Sequence, residues 1–175
     1  AVDGVRLRMV QPNIPQHLKW RSELRVDHVR QQMRLSDGPD AAGVLPTHVI
    51  WAETAVPYNL SGDYGLRQMI ASAVPVDGLL ITGAPRMEMA EGGLQRAYNS
   101  VHALDSRGQI TATYDKRHLV PFGEYVPLRW LFGFSRLTAG RVDFHPGNTP
   151  QIPVLAGLPP AVTLICYEII FPAKV

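Results

Sequence analysis

The stretch THVIWAETAVPYNLSGDYGLRQMIASAVPVDGLLIT, residues 47–82, decides the fold. Thr47 to Trp51 is a short apolar run that reads as a strand. Asp63 to Val74 places Leu66, Met69, Ile70 and Ala73 on one face of a helix. Gly78 to Thr82 returns to strand character and stops at Gly83-Ala84-Pro85. Upstream, Val5 to Val10 alternates as a strand and closes in the loop Gln11-Pro12-Asn13-Ile14-Pro15. Lys19 to about Leu35 has helical spacing, with Leu24, Val29 and Met33 near one face, and Ser36-Asp37-Gly38-Pro39 ends it. Strand, helix, strand, helix, strand is the α/β signature. It predicts a largely parallel or mixed sheet with helices on its face.

Downstream, Ala97 to Leu104 and Gln109 to Tyr114 read as a hairpin turned by Asp105-Ser106-Arg107-Gly108. Residues 119–149 are irregular and rich in Pro, Gly and aromatics. Ile152 to Leu155 and Pro160 to Ile165 read as late strands, the second leading into Cys166.

Bulk properties exclude several classes of function. The chain has 175 residues, enough for one domain with a core, and 46% hydrophobic content with 18% charge is ordinary for a globular protein. The net charge is +2, and the densest basic stretch, Arg21 to Arg34, is interrupted by Glu23 and Asp27. Phosphate tracking needs a clustered basic stripe, so nucleic acid is not an expected partner. One cysteine allows no internal disulfide. No apolar run approaches the ~18 residues of a membrane span. AVDGVRLRMV at the start lacks the apolar centre of a signal peptide. Fifteen prolines cluster at element ends, which suggests many loops around a regular scaffold.

Three residues carry candidate chemistry. Glu53 lies just past one predicted strand, Lys116 directly follows another, and Cys166 ends a third. In open α/β sheets, ligands bind at the C-terminal ends of strands. A thiol becomes a fast nucleophile only beside a base or a cation. Glu53 is a base if burial raises its affinity for the proton. Lys116 can stabilise the thiolate and then the oxyanion, with the backbone N–H of Tyr167 as a second donor. Each residue also has a bland reading. Cys166 is then a packed small hydrophobe, Glu53 a helix-capping carboxylate and Lys116 a surface lysine. His118 reads as a structural hydrogen-bonding residue. No metal is expected, because the nearest preceding histidine is His145 and no second thiol exists. No phosphate-cradling glycine loop is present either: Gly92-Gly93 and Gly83 match neither pattern.

The strings around these residues resemble the nitrilase, or carbon–nitrogen hydrolase, superfamily, and within it the apolipoprotein N-acyltransferase family. VQPNIPQHLKW (10–20) is similar to the opening of that family's catalytic domain, and WAETAVP (51–57) to its base segment. YDKRHLVPFGEYVP (114–127) is similar to its lysine loop, and CYEIIFP (166–172) to its nucleophile elbow. The lysine-loop string is the most specific, and the likeness runs from about residue 5 to the end. The resemblance implies an α-β-β-α sandwich with Glu53 as general base, Lys116 as oxyanion cation and Cys166 as the nucleophile that becomes a thioester. It implies that Glu124 holds Lys116 and the pocket in place, and that Trp20, Tyr167 and Glu168 have functional weight. Ala52 departs from the proline usual there, which changes loop stiffness and not chemistry.

The implied reaction takes an acyl chain from a membrane phospholipid and passes it to the N-terminal amine of a diacylglyceryl-apolipoprotein, with no cofactor. The implied location is the bacterial inner membrane, with the catalytic domain on its periplasmic face. Trp130, Leu131, Phe132 and Phe134 form a dense apolar stretch that reads either as a core helix or as a lipid-contacting arm. Residues 1–175 are expected to be a partial catalytic domain, without the family's transmembrane segments or the domain's C-terminal part. Such a piece is expected to expose an apolar face or sheet edge, and to be inactive or unstable alone. Two other readings stand beside this one. One is a soluble amidase or carbamoylase of the same superfamily, in which water takes the acyl group. The other is a non-catalytic α/β module with Cys166 in its core.

Overall fold

Strands 48–51 and 79–89 pair in parallel and form the centre of a mixed five-stranded sheet. The computed structural model describes residues 2–89, 95–120, 124, 144–148 and 153–170. The strands are β1 (Leu7–Val10), β2 (His48–Trp51), β3 (Leu79–Met89), β4 (Gln95–Leu104) and β5 (Ile110–Asp115), in that spatial order. β1, β2 and β3 run parallel, and β4 and β5 add antiparallel. The α/β expectation therefore holds. β3 is longer than predicted: it runs through Gly83-Ala84-Pro85, because β4 pairs with it as far as Met89.

One face of the sheet is covered by two helices, α2 (Arg25–Ser36) and α3 (Tyr64–Ala71). Val10, Val49, Trp51, Leu80, Ala84 and Leu104 from the strands meet Val29, Leu66 and Ile70 from the helices. Asp63 caps α3 by accepting from the Leu66 N–H at 2.9 Å, one of the orphan donors of a helix start. Arg8 on β1 donates to the Ser36 and Asp37 carbonyls at 2.7 Å each, satisfying acceptors left open at the end of α2. The single helix expected from Lys19 to about Leu35 is instead a 3-10 turn (Ser22–Leu24) followed by α2, and a short helix, α1 (Gln16–Lys19), precedes them. Arg21 is extended there (φ −69°, ψ 121°), and no glycine or proline marks the break in sequence.

The 105–108 turn is as predicted. Asp105 Oδ1 accepts from the Arg107 and Gln109 N–H groups at 2.9 and 2.8 Å, and Gly108 takes a φ of +71° that a side chain would strain.

The late strands at 152–155 and 160–165 are corrected. Among the described residues, neither 153–155 nor 160–165 is a strand, and no sixth strand joins the sheet. Instead this segment crosses the face opposite the helices. Leu155 packs with Leu79 and Ala103, and His48 Nε2 meets the Ala156 carbonyl at 2.9 Å. An apolar run does not by itself report ladder pairing, and here Leu155 and Ile165 are buried while Val154 and Val162 stay exposed. Coverage of this face is partial, since Leu7 and Met9 are exposed on it. No described helix is long and apolar enough to cross a membrane.

Candidate active site

Glu53 sits two residues past the end of β2, in a turn that leans over β3. The Gly83 N–H donates to the Ala52 carbonyl at 3.3 Å, and the Val56 N–H to the Gly83 carbonyl at 3.1 Å. A Cβ on Gly83 would lie 2.4 Å from the Thr54 nitrogen and 2.8 Å from the Glu53 Cα. Only a glycine lets the turn lie this close. Thr54 adopts φ +50° to complete it. Across β3, Glu53 Oε1 accepts from Asn99 Nδ2 on β4 at 2.7 Å. Glu53 is exposed, so the burial expected of it is not found. Lys19, at the end of α1, donates its Nζ to the Glu53 carbonyl at 2.9 Å. Half-burial holds the Lys19 ammonium below its ordinary range, and the Glu53 charge opposes that shift.

Lys116 follows β5 directly and extends its pairing: its N–H donates to the Asn99 carbonyl at 2.8 Å. Its carbonyl accepts from the Gly147 N–H at 2.9 Å. The side chain is 1% exposed, so it is not a surface lysine. Its Nζ lies 2.8 Å from Glu124 Oε2, which also accepts the Val120 N–H at 2.9 Å. Glu124 Oε1 accepts from Asn99 Nδ2 at 2.7 Å. Glu53, Asn99, Glu124 and Lys116 thus form one hydrogen-bonded chain. A buried cation needs such a partner, because desolvation costs several kcal/mol per ion.

Cys166 opens a 3-10 turn, Cys166–Ile170, with φ +52°. That left-handed conformation costs a non-glycine residue about 1–2 kcal/mol, and such strain persists where surrounding structure imposes it. The imposing group is Glu168, which is fully buried. Its carboxylate accepts from the Ile165 N–H at 2.9 Å, the Arg117 N–H at 2.8 Å and the His118 N–H at 3.0 Å. The Tyr114 hydroxyl donates to both of its oxygens at 2.9 and 3.0 Å. Burial first, and this hydrogen bond second, push the Tyr114 phenol above its ordinary range, so it stays a donor. One carboxylate therefore ties the elbow to the residues after Lys116. His118 serves this structural contact through its backbone N–H, while its Nδ1 lies 4.0 Å from Glu168, beyond hydrogen-bond reach.

Cys166 itself is exposed, which removes the packed-core reading of the thiol. It lines a cavity of about 680 Å³ together with Glu53. Val5, Ile50, Ile81, Val101 and Leu164 supply apolar wall, and Lys116 is not among the lining residues. The structure thus joins Glu53 to Lys116 through side chains and Glu53 to Cys166 through a shared cavity.

Of the other candidates, Tyr167 is exposed beside the thiol, and Trp20 caps α1 next to Lys19. Trp130, Leu131, Phe132 and Phe134 lie outside the described residues. Two residues at the site were missed by sequence reasoning. Lys19 stands within the string VQPNIPQHLKW, where only its neighbour Trp20 was singled out. Asn99 had a usable signal: asparagine is depleted in strands, yet it sits inside an apolar one.

The profile of the carbon–nitrogen hydrolase family matches residues 49–175. An apolipoprotein N-acyltransferase of Rhodopseudomonas palustris is 40% identical over 99% of this chain and 34% of its own length. One of Bradyrhizobium diazoefficiens is 39% identical over the same shares, 99% and 34%. The chain thus spans about a third of the length of these curated relatives. A crystal structure of an N-terminal amidase with an Asn-Glu-Ala peptide superposes with a TM-score of 0.45 at 15% identity, over 66% of this chain and 29% of that one, too loosely to carry an argument. With the family profile matching from Val49 through Val175, the chain belongs to the carbon–nitrogen hydrolase family.

Proposed function

We propose that this chain carries the acyl-transfer chemistry of an apolipoprotein N-acyltransferase, the activity for which its curated relatives are named. The observation that carries the reading is the shared cavity: an exposed thiol and a carboxylate open onto one largely apolar space. In the first half-reaction a bound acyl chain fills the cavity and shields Glu53 from water, and Glu53 takes the Cys166 proton as sulfur bonds to the ester carbonyl carbon of a phospholipid. Negative charge moves to the carbonyl oxygen, and the Lys116 ammonium, held on Glu124 outside the cavity lining, stabilises it through its field and not by contact. Collapse breaks the C–O bond, the proton returns from Glu53 to the leaving oxygen, and a lysophospholipid departs. In the second half-reaction the amine of a diacylglyceryl-apolipoprotein attacks the thioester and gives its proton to Glu53. The C–S bond then breaks, Glu53 reprotonates the thiolate, and an amide leaves. An apolar cavity favours amine over water at this step.

The same reading places the domain at the periplasmic face of a bacterial inner membrane. Residues 1–175 are then part of a larger catalytic unit, and Trp130, Leu131, Phe132 and Phe134 touch lipid. The test is the mass of the Cys166 peptide after the full-length protein meets phosphatidylethanolamine. The expected result is an acyl adduct that is absent in Cys166→Ala and discharged by a diacylglyceryl peptide as its N-acyl product. No adduct on the wild type overturns the reading. Amide hydrolysis without any need for phospholipid gives the amidase reading instead.

A further inference from the structure

We propose that Asn99 is a positioning residue of this site: its single carboxamide nitrogen holds Glu53 and Glu124 in one fixed arrangement. The inference rests on the acyl-transfer reading above. Asn99 Nδ2 lies 2.7 Å from Glu53 Oε1 and 2.7 Å from Glu124 Oε1. The orientation of the amide is settled by its partners. Ionised carboxylate oxygens only accept, so the NH2 group and not the carbonyl must face them. Both of its N–H groups are then used, one on each glutamate.

Two like charges so close to one nitrogen repel unless a donor stands between them. Asn99 is 5% exposed, so water is a poor substitute for it. Moving either carboxylate orphans a buried donor. The arrangement also sorts the oxygens. Glu124 gives Oε1 to Asn99 and Oε2 to Lys116 and Val120, while Glu53 gives Oε1 to Asn99. That leaves Glu53 Oε2 to exchange the proton of the thiol. The Asn99 carbonyl meanwhile accepts the Lys116 N–H at 2.8 Å, so one residue fixes the base and the backbone of the cation together. Side chains of similar size do not fit the task. Serine has one donor, aspartate when ionised has none, and glutamine is a methylene too long.

The test measures single-turnover acylation of Cys166 by phosphatidylethanolamine in the full-length protein, for wild type, Asn99→Leu and Asn99→Asp. Asn99→Leu should slow acylation about 100-fold, the low end of what a positioned general base supplies, with little change in KM for phospholipid. In Asn99→Asp, the new carboxyl must be protonated before it can donate to a neighbour. The ratio of variant to wild-type rate should therefore rise about tenfold between about pH 8 and about pH 5. If Asn99→Leu fails to fold, that ratio decides alone. Wild-type speed in Asn99→Leu, or a flat ratio in Asn99→Asp, overturns the proposal while the acyl-transfer reading stands. A wild type that never forms the adduct overturns both.

Discussion

The two halves of the site are held by different means. Glu53, Asn99 and Lys116 stand at one end of the sheet, and their backbones are tied into β2, β3, β4 and β5. Cys166 has no strand behind it. Its elbow hangs from one buried carboxylate, Glu168, which gathers three backbone N–H groups and the Tyr114 hydroxyl. A ladder shares the work of position among many bonds, so no single one is decisive. A lone carboxylate concentrates it. Variants that loosen the elbow should therefore cost more activity than variants that loosen the platform, for the same number of atoms removed.

Glu168→Ala should have the largest effect. It leaves four donors without their acceptor, and each buried orphan costs about 1–3 kcal/mol. Cys166 acylation should fall at least about 1000-fold as the strained elbow relaxes. Hydrogen exchange separates this from general unfolding. The Ile165, Arg117 and His118 amides should exchange faster, while those of β1 to β3 keep wild-type protection. Uniform acceleration across the sheet would show that the elbow and platform are not separately held.

The platform has its own weak point in acid. His102 on β4 is fully buried, with Nδ1 on Thr113 Oγ1 at 3.0 Å and no partner at Nε2 among the described residues. Burial pushes its pKa down to about 4, with nearby Arg86 and Arg67 adding to the shift and Asp115 opposing it. The unfolded chain takes up that proton near pH 6.5, so the stabilisation is full above that pH and is lost as pH falls toward 4. At about 1.4 kcal/mol per pKa unit, the contribution reaches about 3 kcal/mol. Urea unfolding from pH 7.5 to 4.5 should fall more steeply for wild type than for His102→Gln. Parallel profiles would remove His102 from the account.

Gly83→Ala strains the platform without touching a charge. The new methyl meets the Thr54 nitrogen at 2.4 Å, so the turn carrying Glu53 must lift from β3. Overpacking of this kind costs about 1–3 kcal/mol. Acylation should fall about tenfold or more, since small misplacements at a reacting centre are costly. Mild thermal destabilisation with unchanged acylation would mean that the turn relocates without moving the carboxylate.

How much of this was legible in sequence follows the same division. His48–Trp51, the first part of β3 at 79–82 and the hairpin at 97–114 announce themselves by local pattern, and Glu53 and Lys116 sit where strand ends predict; the rest of β3 does not, because its pairing with β4 carries it through Gly83-Ala84-Pro85. The 161–165 run does not, because an apolar segment lying across a sheet and one paired within it have the same composition. Asn99 and Lys19 become part of the site only through strand register and a helix break, both non-local. Glu168 was noticed, but its role depends on Tyr114 and Arg117, about fifty positions away in the chain.

Tyr114→Phe gives the finest measure of how concentrated the elbow's support is. The phenol is a single donor shared by both Glu168 oxygens, at 2.9 and 3.0 Å. Removing it leaves the carboxylate with three backbone N–H donors, so the loss should be about 1 kcal/mol, or roughly fivefold in acylation. The phenyl ring still fills its buried place beside the sheet, so stability should change little. A loss near that of Glu168→Ala would instead mean that the hydroxyl, and not the backbone amides, fixes the carboxylate. The elbow would then hang from β5 through one side chain, and the line between platform and elbow would move to Tyr114.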